Sequence, residues 1–112
     1  MNHSDLAARH CEPCHGGTPP LTGQELTDGL AALPLWQLDD AQKYIRREFR
    51  FKDFHQTMAF VNALAWIAHR EDHHPDLEVG YNRCLVQYST HAIDGLSEND
   101  LICAAKIDAL LT

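Results

Sequence analysis

Four of the eight histidines fall in one short stretch, between His69 and His91. Imidazole is the side chain whose ordinary pKa, about 6.5, lets it give or take a proton near neutral pH. His73 and His74 are adjacent and are followed by Pro75, whereas His91 follows a short apolar segment. If the fold brings these three histidines to one place, their types and spacing are suited to acid–base chemistry.

From the residues alone, three interpretations of the histidines stay open. His69 and His73 have the four-residue spacing that places two imidazoles of one helix on a metal ion, but Glu71 does not match the glutamate of the zinc-protease helix and the ligand set is incomplete. A structural role is the second interpretation, with histidines at a helix end bonding to carbonyls. In the third, one imidazole protonates a leaving group and another removes a proton, without metal.

Composition narrows the class of protein. The chain has 112 residues, of which 45% are hydrophobic and 22% are charged, as expected for one globular domain. The net charge of −7 argues against nucleic acid or an anionic membrane as a direct partner. No apolar run has the length of a membrane span, and the amino terminus lacks the pattern of a signal peptide. We therefore expect a cytoplasmic protein with reduced thiols.

Residues 1–20 are predicted to form a flexible amino-terminal arm, because they are polar, show no period and contain paired glycines and paired prolines. Within the arm, the sequence from Cys11 to His15 formally matches the attachment pattern for c-type haem, and it could also contribute to a zinc knuckle. The preferred interpretation is an arm with two thiols, because haem attachment belongs to exported proteins and structural zinc normally needs four ligands. Cys84 and Cys103 lie in apolar surroundings and are predicted to be core residues.

Residues 21–112 are predicted to form one domain. The first helix should begin at Thr22, with a capping box to Glu25, and end before Pro34. A short strand at 35–38 and an alternating segment around Ile45 should then make a hairpin.

The longest predicted helix begins at the N-cap Asp53 and runs to about Asp72, before Pro75. Two more alternating strands follow, and the second delivers His91 at its end. Ser97 then begins the last helix with a capping box. The order is α-β-β-α-β-β-α, which predicts an α+β fold in two layers, a four-stranded, mostly antiparallel sheet with helices on one face.

Taken in order, these residues resemble the pterin-4a-carbinolamine dehydratases, also called 4a-hydroxytetrahydrobiopterin dehydratases. The resemblance covers roughly residues 22–111 and rests on the order and spacing of a small set: His73-His74-Pro75, Tyr81, His91 and Asp100. It implies dehydration of a 4a-hydroxytetrahydropterin to the quinonoid dihydropterin, in the recycling of tetrahydrobiopterin for aromatic amino-acid hydroxylases. No metal and no cofactor are expected.

The resemblance also implies roles for single residues and for partners. The catalytic acid–base pair would be His73 and His91, the substrate-binding residues His74 and Tyr81, and the supporting residues Pro75, Asp100 and His69. A homodimer or homotetramer formed through the sheet is expected, and Trp66 on the polar side of the long helix would suit such a contact. The alternative is a non-catalytic role, as a dimerisation cofactor or an assembly factor on the same fold.

The chain departs from the family at His69, where many members carry an acid four residues before the first histidine of the pair. If that acid orients His73, then Glu71 or Asp72 must do so here. Asp100 is explained as the capping-box residue of the last helix. The Cys-x-x-Cys arm resembles an extension found on some bacterial members.

Overall fold

Residues 2–14 and 16–112 are described by the structure, which is a computed structural model. The elements in chain order are α1 (His3–Ala8), α2 (Gly23–Ala31), β1 (Gln37–Leu38), β2 (Ile45–Arg50), α3 (Phe54–Glu71), β3 (Asp76–Val79), β4 (Arg83–Tyr88), a 3₁₀ helix (His91–Ile93) and α4 (Glu98–Ala109). Among the described residues, no helix combines the length and the apolar character needed to cross a membrane.

The four strands form one antiparallel sheet in the order β1-β2-β4-β3. In β4, Cys84, Val86 and Tyr88 are buried, while the residues between them are only half-buried. This alternation gives the sheet one face that packs on the helices and one that meets solvent. The predicted α+β fold is confirmed, with all strand pairs antiparallel and with one more α-helix than the sequence indicated.

Helix α3 ends just before the adjacent histidines at positions 73 and 74. It begins where the Asp53 carboxylate accepts a hydrogen bond from the Gln56 amide, and it ends at Glu71, because Asp72 adopts the left-handed conformation (φ 51°). The amide of His73 then bonds back to the carbonyl of Ala68 at 3.1 Å. The predicted bounds of this helix are confirmed. The bond to its last turn fixes the position of the His73 backbone just after the helix.

Two predictions about caps had different outcomes. Thr22 is the N-cap of α2, but its side chain makes no capping hydrogen bond, so the predicted capping box with Glu25 is wrong. The box predicted at the start of α4 is present, since the Ser97 side chain accepts from the helix backbone and Asp100 accepts from the Ser97 amide at 3.0 Å. The first predicted strand is shorter than expected, covering Gln37–Leu38 only.

The amino-terminal arm is not a loop throughout. Helix α1 starts with a capping box between Asn2 and Asp5, and its Leu6 is fully buried in the main core. Lys106 of α4 donates a hydrogen bond to the carbonyl of Ala7 at 2.7 Å. The prediction of an unstructured segment is therefore wrong for His3–Ala8, because contacts with α4 supply the stability that a six-residue helix lacks on its own. The flexibility of the arm and the boundary at residue 20 stay predictions.

Candidate functional site

Three histidines meet at one cleft of about 640 Å³, which lies between the end of α3, the end of β4 and the start of α4. His73 and His74 enter it from the segment between α3 and β3, and His91 enters it from the first residue of the 3₁₀ helix. Pro75 lines the same cleft. This volume is in the range of sites that bind small organic molecules.

His73 is the least exposed of the three, and it is paired with a carboxylate. Its Nε2 atom lies 2.6 Å from Oδ1 of Asp100, and the Asp100 side chain has no exposure to solvent. The imidazole also stacks on the ring of Tyr88, with centroids 5.4 Å apart and planes 10° from parallel. The carboxylate and the tyrosine ring together fix both the position and the plane of the His73 ring.

A buried polar network holds Asp100 in turn. Its Oδ2 atom accepts from the Thr90 hydroxyl at 2.8 Å and from the Ser97 amide at 3.0 Å. The hydroxyls of Thr90 and Ser97 lie 2.7 Å apart. Both Asp100 oxygens therefore have partners, which is the condition under which a carboxylate is tolerated in a protein interior.

The pairing with Asp100 changes the protonation of His73. Burial lowers the pKa of the His73 imidazole, but the hydrogen bond and the negative charge of Asp100 outweigh it, so the pKa lies above its ordinary value. The charge of Asp72, and that of Cys103 when it is ionised, raise the pKa of His73 further. A raised pKa favours the protonated imidazole, which is the form that can serve as a general acid.

Two residues implied by the resemblance lie elsewhere. Tyr81 is 65% exposed in the turn between β3 and β4, outside the residues that line the cleft. His69 is exposed on α3 and its ring lies 5.4 Å from that of Trp66. Neither reaches the cleft within the described chain, and their substrate-binding and supporting roles stay predictions.

Asp100, and not Glu71, is the acid that contacts His73. The Glu71 carboxylate is used by the arm, since it accepts from the Cys11 amide at 2.7 Å and lies 2.9 Å from Nδ1 of His10. Asp72 is the C-cap of α3 and contributes only charge. The explanation of Asp100 as a capping residue is correct but incomplete, because its second oxygen serves His73.

The arm supplies a wall of the cleft that sequence reasoning missed. The cleft is also lined by four residues of the arm: Cys11, Glu12, Pro13 and Cys14. Asn99 of α4 holds this wall through two bonds to Glu12, accepting from its amide at 3.0 Å and donating to its carbonyl at 2.6 Å. The Cys-x-x-Cys spacing marked the segment, but nothing in the arm indicated where it would lie.

No cluster of three or more possible metal-binding side chains occurs in residues 2–14 and 16–112. His15, the last residue of the haem-attachment pattern, lies outside the described residues. Cys84 and Cys103 are buried, as predicted. The expectation that the protein uses no metal and no cofactor stays a prediction.

Comparisons with known proteins identify the family of the chain. The family model described as pterin 4 alpha carbinolamine dehydratase matches residues 19–110. A provisionally named pterin-4-alpha-carbinolamine dehydratase of Nitrosospira multiformis is 61% identical, over 95% of this chain and 92% of the relative. Another, from Legionella pneumophila strain Corby, is 53% identical over 96% of each chain.

Two solved structures have the same fold. The crystal structure of a transcriptional coactivator/pterin dehydratase from Brucella melitensis matches with a TM-score of 0.79 and 38% identity, over 83% of this chain and 99% of that one. A pterin dehydratase-like protein identified as a RuBisCO assembly factor in the alpha-carboxysome matches with a TM-score of 0.59 and 26% identity, over 67% and 87%. The chain belongs to the pterin 4 alpha carbinolamine dehydratase family.

Proposed function

We propose that the protein is a hydro-lyase that dehydrates 4a-hydroxytetrahydrobiopterin, a pterin-4a-carbinolamine, to the quinonoid dihydropterin in tetrahydrobiopterin recycling. The observation that carries this proposal is the hydrogen-bonded pair of His73 and Asp100. His73 lines the same cleft as His74 and His91. Dehydration needs a proton donor and a proton acceptor on one small substrate, and this cleft offers both.

The chemistry divides between two imidazoles. His73, whose protonated form is favoured by Asp100, donates its proton to the hydroxyl on C4a, so that the C–O bond breaks and water leaves. His91, exposed at the edge of the cleft, accepts the proton from N5. One proton is given and one is taken, so the net change is the loss of one water. His74 is assigned to binding and orienting the pterin ring.

The test is a dehydration assay with His73→Ala and His91→Ala. Each substitution should slow turnover by about 10²–10⁴-fold, the usual contribution of a general acid or base. His55→Ala is the matched control, because His55 is an exposed histidine in the first turn of α3, away from the cleft, and its loss should leave turnover unchanged. If neither cleft variant slows turnover by at least about tenfold, the acid–base assignment is wrong.

The alternative is a protein-binding role. The names of the two structural relatives suggest it. The coactivator and the assembly factor are each described by a role in protein assembly or transcription. An intact fold with no dehydratase activity in the unaltered protein would favour this alternative. Retention of three histidines and a satisfied His73–Asp100 pair supports the enzyme.

Strand β3 is a candidate surface for self-association. It is an edge strand whose four residues are all exposed, including Leu77 and Val79, and exposed Tyr81 follows it. An uncovered apolar edge favours pairing with a second copy, which supports the proposed homodimer or homotetramer. The cytoplasmic location and the link to an aromatic amino-acid hydroxylase stay predictions.

A further inference from the structure

We propose that Cys11 and Cys103 form a dithiol site that a hydroperoxide oxidises to a reversible disulfide, which fixes the arm against α4 beside the cleft. The two Sγ atoms lie 3.5 Å apart, one in the arm and one in the middle of α4. Both cysteines are free thiols. This inference does not depend on the proposed dehydratase activity.

The surroundings orient the pair. The Cys11 amide is bonded to Glu71 at 2.7 Å, and the Cys11 thiol contacts the carbonyl of Asn99 at 3.6 Å. These contacts hold the arm sulfur over Cys103, which is fully buried in α4. Bond formation requires the sulfurs to approach by about 1.5 Å, a movement that the arm can supply at residues 10–14, which belong to no helix or strand.

The two thiols differ in access and in acidity. Cys11 is half-buried and lines the cleft, so a small oxidant reaches it first. The hydrogen bond from the Cys11 thiol lowers the pKa of Cys103 against the effect of burial, and the charge of His73 acts in the same direction. Cys103 is therefore the more acidic thiol of the pair, and it is the better attacking group in the second step.

The oxidation balances with hydrogen peroxide as the oxidant. Starting from two thiols, Cys11 loses its proton as it attacks peroxide, whose O–O bond breaks, and the departing hydroxide takes up that proton, giving a sulfenic acid on Cys11 and one water. The Cys103 sulfur then attacks the Cys11 sulfur, the S–O bond breaks, and a second water leaves. The two thiols lose two protons and two electrons, and peroxide is reduced to two waters.

Cys14 is the partner that the Cys-x-x-Cys spacing would suggest, but its contacts point elsewhere. Its sulfur lies 3.4 Å from the Asn99 side-chain amide, which donates to it, and 3.9 Å from the carbonyl of Glu12. The geometry therefore favours a bond between Cys11 and Cys103 over one within the arm.

The proposed bond would have a mechanical effect. It would join residue 11, which precedes the segment matched by the family model, to the last helix of that segment. A cross-link between positions so distant in sequence restricts the unfolded chain and raises stability. In the folded protein it would hold the arm wall of the cleft in place.

The experiment treats the fully reduced protein with equimolar hydrogen peroxide, blocks remaining thiols, and measures the intact mass and the linked peptides. We expect a loss of two hydrogens and a peptide joining Cys11 to Cys103. Cys11→Ser and Cys103→Ser should each abolish that peptide. Cys14→Ser and Cys84→Ser, which remove the other two thiols, should leave it in place.

The oxidised protein should also melt at a higher temperature, show slower amide exchange in the arm, and return to the starting values with dithiothreitol. A peptide joining Cys11 to Cys14, oxidation to sulfinic acid without a linked peptide, or no reaction would each overturn the proposal. A linked peptide without slower exchange in the arm would overturn its mechanical part.

Discussion

The two walls of the cleft are built in different ways. The first wall carries His73 and Asp100, both tied into the interior through Thr90 and Ser97. The second wall is the arm segment Cys11–Cys14, which is half-buried or exposed and is held by a few side chains such as the buried Asn99. One wall consists of buried groups whose polar atoms are satisfied, and the other rests on a few hydrogen bonds near solvent.

The two walls therefore differ in whether they can shift the pKa of a side chain or only help to shape the cleft. A perturbed pKa requires a low-dielectric setting and a fixed partner, and only the first wall offers them. The second wall lies wholly before residue 19, where the match to the family model begins, although it lines the same cleft. The proposed dehydration should therefore depend on the first wall, because that wall holds the histidine with the raised pKa.

The largest effect should come from breaking the first wall with Asp100→Ala. The substitution leaves the Thr90 hydroxyl and the Ser97 amide without their acceptor and leaves His73 without its counter-charge. Removal of one partner from a buried, hydrogen-bonded pair costs about 3–5 kcal/mol. We expect the free energy of unfolding, measured with urea, to fall by this amount.

Glu98→Ala is the matched control for that measurement. Glu98 is an acid in the same first turn of α4, but it is exposed and its partner is the surface residue Arg9. Loss of a surface ion pair costs about 1 kcal/mol or less. Equal losses in the two variants would show that Asp100 acts only as an acidic residue near a helix start.

A second, smaller effect concerns the protonation of His73. Because its pKa is raised in the folded state, the stability that it contributes is complete below its ordinary pKa, about 6.5, and is lost as pH rises through the folded value. The difference in unfolding free energy between the unaltered protein and Asp100→Asn should therefore be greatest at acidic pH and shrink as pH rises.

The pKa itself can be followed by the NMR titration of the His73 ring protons. In the unaltered protein the midpoint should lie above the ordinary value, and in Asp100→Asn it should fall, because burial then acts without the opposing carboxylate. A midpoint that does not move in the variant would remove Asp100 as the cause of the shift.

The sequence predicted the structural features that depend on local signals, such as helix starts and strand alternation. Asp53 marked the start of α3, Ser97 marked the start of α4, and alternation around Val86 marked a half-buried strand. The pairing of His73 with Asp100 spans 27 residues, and the capping box already accounted for Asp100 locally. No local signal of that kind could show that the second carboxylate oxygen faces a histidine.

Helix α1 and the arm wall were not predicted, because they too depend on contacts with distant parts of the chain. The helix has six residues and one fully buried side chain, Leu6, so it carries no measurable period. Its stability comes from α4, including the bond from Lys106. In the same way Glu71, predicted as a candidate to orient His73, turned toward Cys11, since the arm brings a donor that the sequence did not place.

The smallest effect should come from the second wall, in Asn99→Ala. This substitution removes two hydrogen bonds to Glu12 and the contact with Cys14, but the exposed backbone of Glu12 can bond to water instead. Two such bonds are worth about 1–2 kcal/mol, so amide exchange in the arm should accelerate by about tenfold. Asn62→Ala, on the exposed side of α3, should leave exchange in the arm unchanged. A shift in the titration of His73 as large as that in Asp100→Asn would contradict the separation of the two walls.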